Sequence, residues 1–228
     1  RVWVVVHSGS RGLGNEIARG HIAGATRDFA DVVSGYRLED RDLAWLVQGT
    51  PAFDVYIAVL MWLQDYAAGS REAMVAAVLQ EMFRAVGRGR QVETINCHHN
   101  YAVQETHGDR QVWVTRKGAI RAMAGDLGII PGSMGTSTFI VEGLGSSESW
   151  CSCSHGAGRR LSRKSAERGL TVESLHEAMA GKTWLAGSAR RLLDEHPAAY
   201  KDIESVMADQ SDLVQVRDRL TQVLNYKG

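Results

Sequence analysis

A chain of 228 residues is long enough for one sizeable core or two small ones. With 44% hydrophobic and 23% charged residues it has a globular composition, which excludes a disordered or fibrous chain. The 26 basic and 26 acidic side chains cancel, which argues against a protein that coats nucleic acid and leaves room for an enzyme with one local basic patch.

Three cysteines, Cys97, Cys151 and Cys153, are too few and odd in number for a disulfide framework, so a reducing cytoplasm is expected. The most apolar run, residues 56–63, is too short to span a bilayer, and no membrane partner is expected. Arg1 rather than Met opens the chain, directly on a strand-like run over residues 2–6. A buried strand without an approach segment leads us to expect an N-terminus cut from a longer chain.

The glycine-rich loop HSGSRGLG follows over residues 7–14, and then a helix over 15–33. Thr50-Pro51 is a cap with proline at the first helical position, opening a helix to about Ala68. A separate helix is expected after Ser70, its stripe Met74, Val75, Val78, Leu79, Met82, Phe83 and Val86 reading as core packing. From about Gln91 short β-branched runs, 111–115 and 139–141, alternate with glycine-rich loops. Helical segments return over 162–168, 172–179, 188–195 and 198–209. The expected fold class is α+β, with mixed sheets, surrounding helices and a helical insertion over 15–90.

Histidines cluster where glycine loops place functional groups: His7 in HSGSRG, His98 and His99 in NCHHNYA, and His155 in HGAGRR. Gly156 and Gly158 flank the small Ala157, so a phosphate can approach backbone N–H donors there. Arg159, Arg160, Arg163 and Lys164 follow, the densest basic cluster in the chain. A neutral imidazole before such a loop can attack phosphorus to give a phosphoramidate; a solvated helix N-terminus is the plainer reading of the same residues. The loop over 125–139, GDLGIIPGSMGTSTF, holds neither a Walker pattern nor GxGxxG, so any nucleotide there would meet main chain and the hydroxyls of Ser133 and Thr138. Cys151, Cys153 and His155 would share one face of an extended segment, but C-x-C is a poor zinc clip. His7 with His98 or His99 is the better metal pair, and a complete site needs further ligands.

Taken together, HSGSRGLG, CHHNYA, TRKGAI, GIIPGSMGTSTFIV, SCSHGAGRRLSR, AYKDI and the terminal KG resemble, in order, the RtcB family of RNA ligases. The resemblance implies a ligase that joins an RNA 3′-phosphate or 2′,3′-cyclic phosphate to a 5′-hydroxyl, in tRNA splicing or RNA repair, using GTP and manganese. It implies His155 as the nucleophile that becomes guanylylated, and His7 and His99 as ligands to metal, two ions in the full-length protein. It further implies guanosine contacts from His99, Asn100, Pro131, Gly132, Ser133, Met134, Thr138, His155, Gly156, Ala157, Gly158, Tyr200 and Lys227. Arg11, Arg159 and Arg163 match arginines that hold RNA or triphosphate, tRNA halves are the natural RNA partners, and an activating protein partner fits the same picture. Thr138 stands where the family commonly has serine, which keeps the hydroxyl. The family's upstream Asp-x-x-Cys and Asn-His-Phe metal motifs do not occur, so this chain alone is expected to be inactive or nearly so. Two other readings compete: a metal-dependent phosphohydrolase or nuclease using His7 and His99, and a non-catalytic RNA-binding fragment.

Overall fold

A computed structural model describes residues 1–32, 39–40 and 43–227, and the chain divides into two compact units, Arg1–Val92 and Glu93–Gly228. In the first unit, residues 1–10 run without a strand ladder, and Val2 and Val5 are 77% and 43% exposed. The buried strand expected over 2–6 is therefore not formed. β-branched residues favour extension, but a strand exists only where another backbone completes its hydrogen bonds.

Helix α1 (Arg11–Val32) begins at Arg11 rather than at residue 15, absorbing half of the glycine-rich run. A first helical turn has N–H groups without intrahelical partners anyway, so Gly12 and Gly14 are tolerated there. Val33, the end of the expected helix, lies outside the described residues. Helix α2 (Pro51–Val86) starts where Thr50-Pro51 announces it: the Thr50 hydroxyl accepts the Phe53 N–H, and Gly87 ends it at φ 77°. The break expected at residues 69–70 is absent. A glycine inside a helix costs about 1 kcal/mol against alanine, which the strong formers on either side outweigh. The stripe expected to pack as core is only partly covered, with Met74, Val78 and Val86 exposed and Ala67 the buried residue of the helix.

The second unit is α+β. Strands β1 (Asn100–His107) and β2 (Arg110–Lys117) form an antiparallel hairpin. Strand β3 (Ala119–Arg121) pairs antiparallel with β6 (Ser152–Ser154). Strands β4 (Leu127–Pro131), β5 (Thr138–Gly143) and β8 (Val214–Leu220) make an antiparallel sheet in the order β4-β5-β8. The short strands β7 (Thr183–Trp184) and β9 (Leu224–Asn225) pair in parallel. Helices α3 (Arg163–Gly169), α4 (Val172–Ala178) and α5 (Ile203–Ala208) are capped by Ser162, Thr171 and Asp202.

Two expectations fail in detail. Residues 186–195 form a 3-10 helix rather than an α-helix. The helical run expected over 198–209 is interrupted, because Tyr200 leaves in an extended conformation to bridge Arg159 and the Lys201 N–H bonds Gly158 O at 3.0 Å. One core cluster joins Ile120, Ile130, Phe139, Val141, Cys153 and Ala157 to α5; a second joins Met134 to Leu175, Met179, Leu192 and Leu193. Each candidate loop is thus anchored in a core by one buried side chain, Ala157 or Met134. Among the described residues no helix is long and apolar enough to cross a membrane.

Candidate active site

Strand β6 carries the chain to His155. Its central residue, Cys153, is buried against Ile120 and Ala157, and burial first, then the neighbouring Cys97 sulfur, pushes its thiol up to about 12. The extended segment expected across residues 151–155 is only three residues long, because Cys151 is left-handed at φ 47°. Past the strand, the Ser154 hydroxyl donates to Gly156 O at 2.6 Å and accepts the Gly156 N–H at 3.3 Å, closing a tight turn.

That turn leaves the His155 ring half-buried, with Nδ1 2.6 Å from the carbonyl oxygen of Gly118. A carbonyl only accepts, so Nδ1 carries the proton and neutral His155 holds its lone pair on Nε2. Gly118 itself sits at φ 70° between β2 and β3. Its N–H is bonded by His99 O at 2.7 Å and Asn100 Oδ1 at 2.9 Å. The His99 ring lies parallel to that of His155, 5.1 Å apart with 4° between planes. His98 turns instead to Tyr101.

The two glycine-rich loops are locked together. Ala157 N–H donates to Pro131 O at 3.0 Å, and a Cβ at Gly156 would stand 2.9 Å from that oxygen, so no larger residue fits without displacement. Beyond Pro131, Gly132 N–H bonds Ser137 O and Ser133 N–H bonds the Thr136 hydroxyl. The Ser133 hydroxyl is 3.0 Å from that of Thr136. Met134 points into the second core, so it offers a ligand only its backbone; Thr138 is buried in β5. From the C-terminal segment, the Gln222 amide donates to Ser133 O at 2.6 Å and Thr136 O at 3.0 Å.

Beside them Glu195 gathers Tyr200, Lys227, Arg159 and Arg163. Tyr200 Oη donates to Oε2 at 2.6 Å, Lys227 Nζ to the same oxygen at 3.0 Å, and Arg163 Nη1 to Oε1 at 2.9 Å. Arg159 Nη1 stands 3.8 Å from Oε1 and donates to Tyr200 Oη at 3.0 Å. Burial alone would raise the Glu195 carboxyl; the Tyr200 hydrogen bond and the Lys227 and Arg163 charges overcome it and bring it down to about 2. Burial, then the bond to Glu195, raises the Tyr200 phenol to about 12. The guanidinium groups of Arg159 and Arg163 also bond Asp194, so both expected anion-holding arginines are charge-compensated here.

Of the remaining candidates, His7 is exposed in the N-terminal segment of the first unit and Arg11 opens α1. Among the described residues no three His, Cys, Asp or Glu side chains are grouped to hold a metal ion. Sequence reasoning missed Gly118, Glu195 and Gln222. A glycine directly after a β-rich run signals a left-handed position, which would have singled out Gly118; nothing local marks the other two.

The family model described as tRNA-splicing ligase RtcB matches residues 1–228. The chain belongs to the RtcB family. It is 46% identical to the RNA-splicing ligase RtcB of Escherichia coli K12, the alignment covering 100% of this chain and 56% of that protein. It is 31% identical to the RNA-splicing ligase RtcB of Mycobacterium tuberculosis, covering 100% and 57%, and 32% identical to the tRNA-splicing ligase RtcB of Thermococcus kodakarensis, covering 91% and 48%. The chain thus spans about half the length of these RtcB relatives.

Proposed function

We propose that the protein of which this chain forms at least part is an RNA ligase that joins an RNA 3′-phosphate or 2′,3′-cyclic phosphate to a 5′-hydroxyl end through a GMP adduct on His155, with tRNA halves among its substrates. The observation that carries this reading is the Nδ1 bond to Gly118 O, which presents Nε2 as an unprotonated nucleophile beside two glycine loops. Family membership supports RNA ligation as the reaction class.

Three displacements complete the reaction. Nε2 attacks the α-phosphorus of GTP, the N–P bond forms and pyrophosphate leaves with the bonding pair of the P–O bond. An oxygen of the RNA 3′-phosphate then attacks the same phosphorus, and Nε2 recovers its lone pair as the N–P bond breaks. The 5′-hydroxyl finally attacks the activated 3′-phosphorus, loses its proton and expels GMP. Gly118 O holds the ring's other proton through all three, stabilising the positive imidazole that forms when Nε2 becomes bonded. Backbone N–H groups of the HGAG turn suit phosphate oxygens, since the absence of side chains lets an anion come close.

Manganese is the proposed ion, and when bound it would neutralise charge on the triphosphate. The described residues do not make up a manganese site by themselves, because manganese takes about six donors and no three side chains here are grouped for one. Every step above is therefore assigned to the chain's own residues.

Radiolabelled GTP tests the reading in the full-length protein. Acid-labile, alkali-stable label on His155, absent from His155→Ala, is the expected result. Phosphate release without a GMP adduct would instead mark a phosphohydrolase.

A further inference from the structure

Five segments far apart in sequence meet at one carboxylate. Glu195 ends the 3-10 helix, Tyr200 follows the next turn, Arg159 leaves the HGAG loop, Arg163 opens α3 and Lys227 lies near the C-terminus. The Glu195 side chain is 12% exposed, and its oxygens are fully used: Tyr200 and Lys227 on Oε2, Arg163 and Arg159 on Oε1. A carboxylate with its acceptor positions filled is not itself a base-reading group. What it does is hold an ammonium and a phenol side by side, Lys227 keeping two further protons to give. The Arg159 guanidinium lies 4.9 Å over the Tyr200 ring and fixes that ring from one side.

We propose, resting on the GTP reading of the site, that Glu195 is the positioning residue for purine selection, fixing Lys227 and Tyr200 where position 6 of the base is read. The chemistry follows from donor counts. An ammonium only donates; guanine presents an accepting oxygen at that position, and adenine presents a donating amine. A Lys227 ammonium fixed in place therefore favours GTP over ATP, and one released into solvent does not, because a mobile lysine regains its rotamer freedom and its hydration. Glu195 also keeps Tyr200 protonated, so the phenol remains a donor with a ring available to pack on a base.

Equilibrium binding of GTP and of ATP to the full-length protein is the test, with Glu195→Gln and Lys227→Met compared to wild type. Wild type should prefer GTP; Glu195→Gln should weaken GTP by about tenfold or more and leave ATP within about twofold. Lys227→Met, at a side chain 40% exposed and so safe for folding, should show the same selectivity loss. The double variant should be no worse than either single one, since the two residues act as a unit. Carbon-13 NMR of Tyr200 should show its phenol titrating nearer 10 in Glu195→Gln, a change that loss of bulk stability would not produce. Equal weakening of GTP and ATP, or an unchanged preference in either variant, overturns the assignment. Failure of wild type to prefer GTP overturns it as well. GTP-selective binding without any adduct on His155 would sink only the ligase chemistry and leave the role of Glu195 standing.

Discussion

Arg116 and Glu105 bury an ion pair inside the second unit, Nη1 to Oε1 at 2.7 Å and Nη2 to Oε2 at 2.9 Å, with side chains 2% and 3% exposed. The same guanidinium donates to Trp150 O, Cys151 O, Ser152 Oγ and Tyr101 Oη. Trp150 and Cys151 are both left-handed, at φ 54° and 47°, a conformation that costs a non-glycine residue roughly 1–2 kcal/mol each. Arg116 therefore holds the strained approach to β6, the strand that delivers His155.

Replacing Arg116 with methionine should destabilise the second unit by about 3–5 kcal/mol, because Glu105 is left charged and buried. Arg116→Lys should recover little, since one ammonium cannot reach six acceptors. Urea unfolding of the single variants and of Glu105→Leu/Arg116→Met separates the causes. A double variant as unstable as Arg116→Met alone would show that the backbone contacts, not the stranded carboxylate, dominate.

Gly118→Ala should slow GMP transfer to His155 by about tenfold or more while leaving the circular dichroism spectrum unchanged. The added methyl meets a left-handed backbone and would lie 3.2 Å from His155 Cε1, so the carbonyl that fixes the tautomer must shift. Wild-type rates of adduct formation in this variant would contradict the proposed tautomer lock.

Residues 1–228 produced alone should form little or no adduct with GTP and manganese. The chain covers 56% of the Escherichia coli relative, and no three of its described side chains are grouped for a metal. Parallel labelling of this chain and of the full-length protein decides it, and comparable label on His155 in both would refute the expectation.

His196 predicts a stability change with pH. It is 4% exposed, accepts the Ala198 N–H on Nδ1 at 2.9 Å and bonds Ser174 Oγ through Nε2 at 3.1 Å. Burial lowers its pKa, and the Ser174 contact only partly opposes this. A folded value below the unfolded one, near 6.5, means that stability is fully present above that pH. It is lost as pH falls from there through the folded value. Melting temperature should drop between pH 7 and pH 5, and His196→Asn should flatten that drop. Glu195 does not interfere, because its own loss begins only at more acid pH.

How far the sequence could be read depended on the range of the interactions. Thr50-Pro51, Ser162 and the β-branched runs 111–115 and 139–141 act on their neighbours, and they mark real element boundaries or interiors. Residues 2–6 misled because extension is local whereas strand pairing is not. The end of the 198–209 helix was hidden for the same reason, since Tyr200 is drawn out by Arg159, 41 residues earlier. The ordered motifs identified the family and His155; they could not show that Gly118, 37 residues away, sets which ring nitrogen is protonated. Glu195 was invisible because its meaning comes from four partners that only the fold assembles.

The bond from Ala157 N–H to Pro131 O has an experimental use of its own. One amide in a buried position bridges both loops, so its exchange with deuterated solvent reports their separation directly. Slower exchange at that amide in the presence of a nucleotide would register clamping of the two loops as a single body, without any label on the substrate.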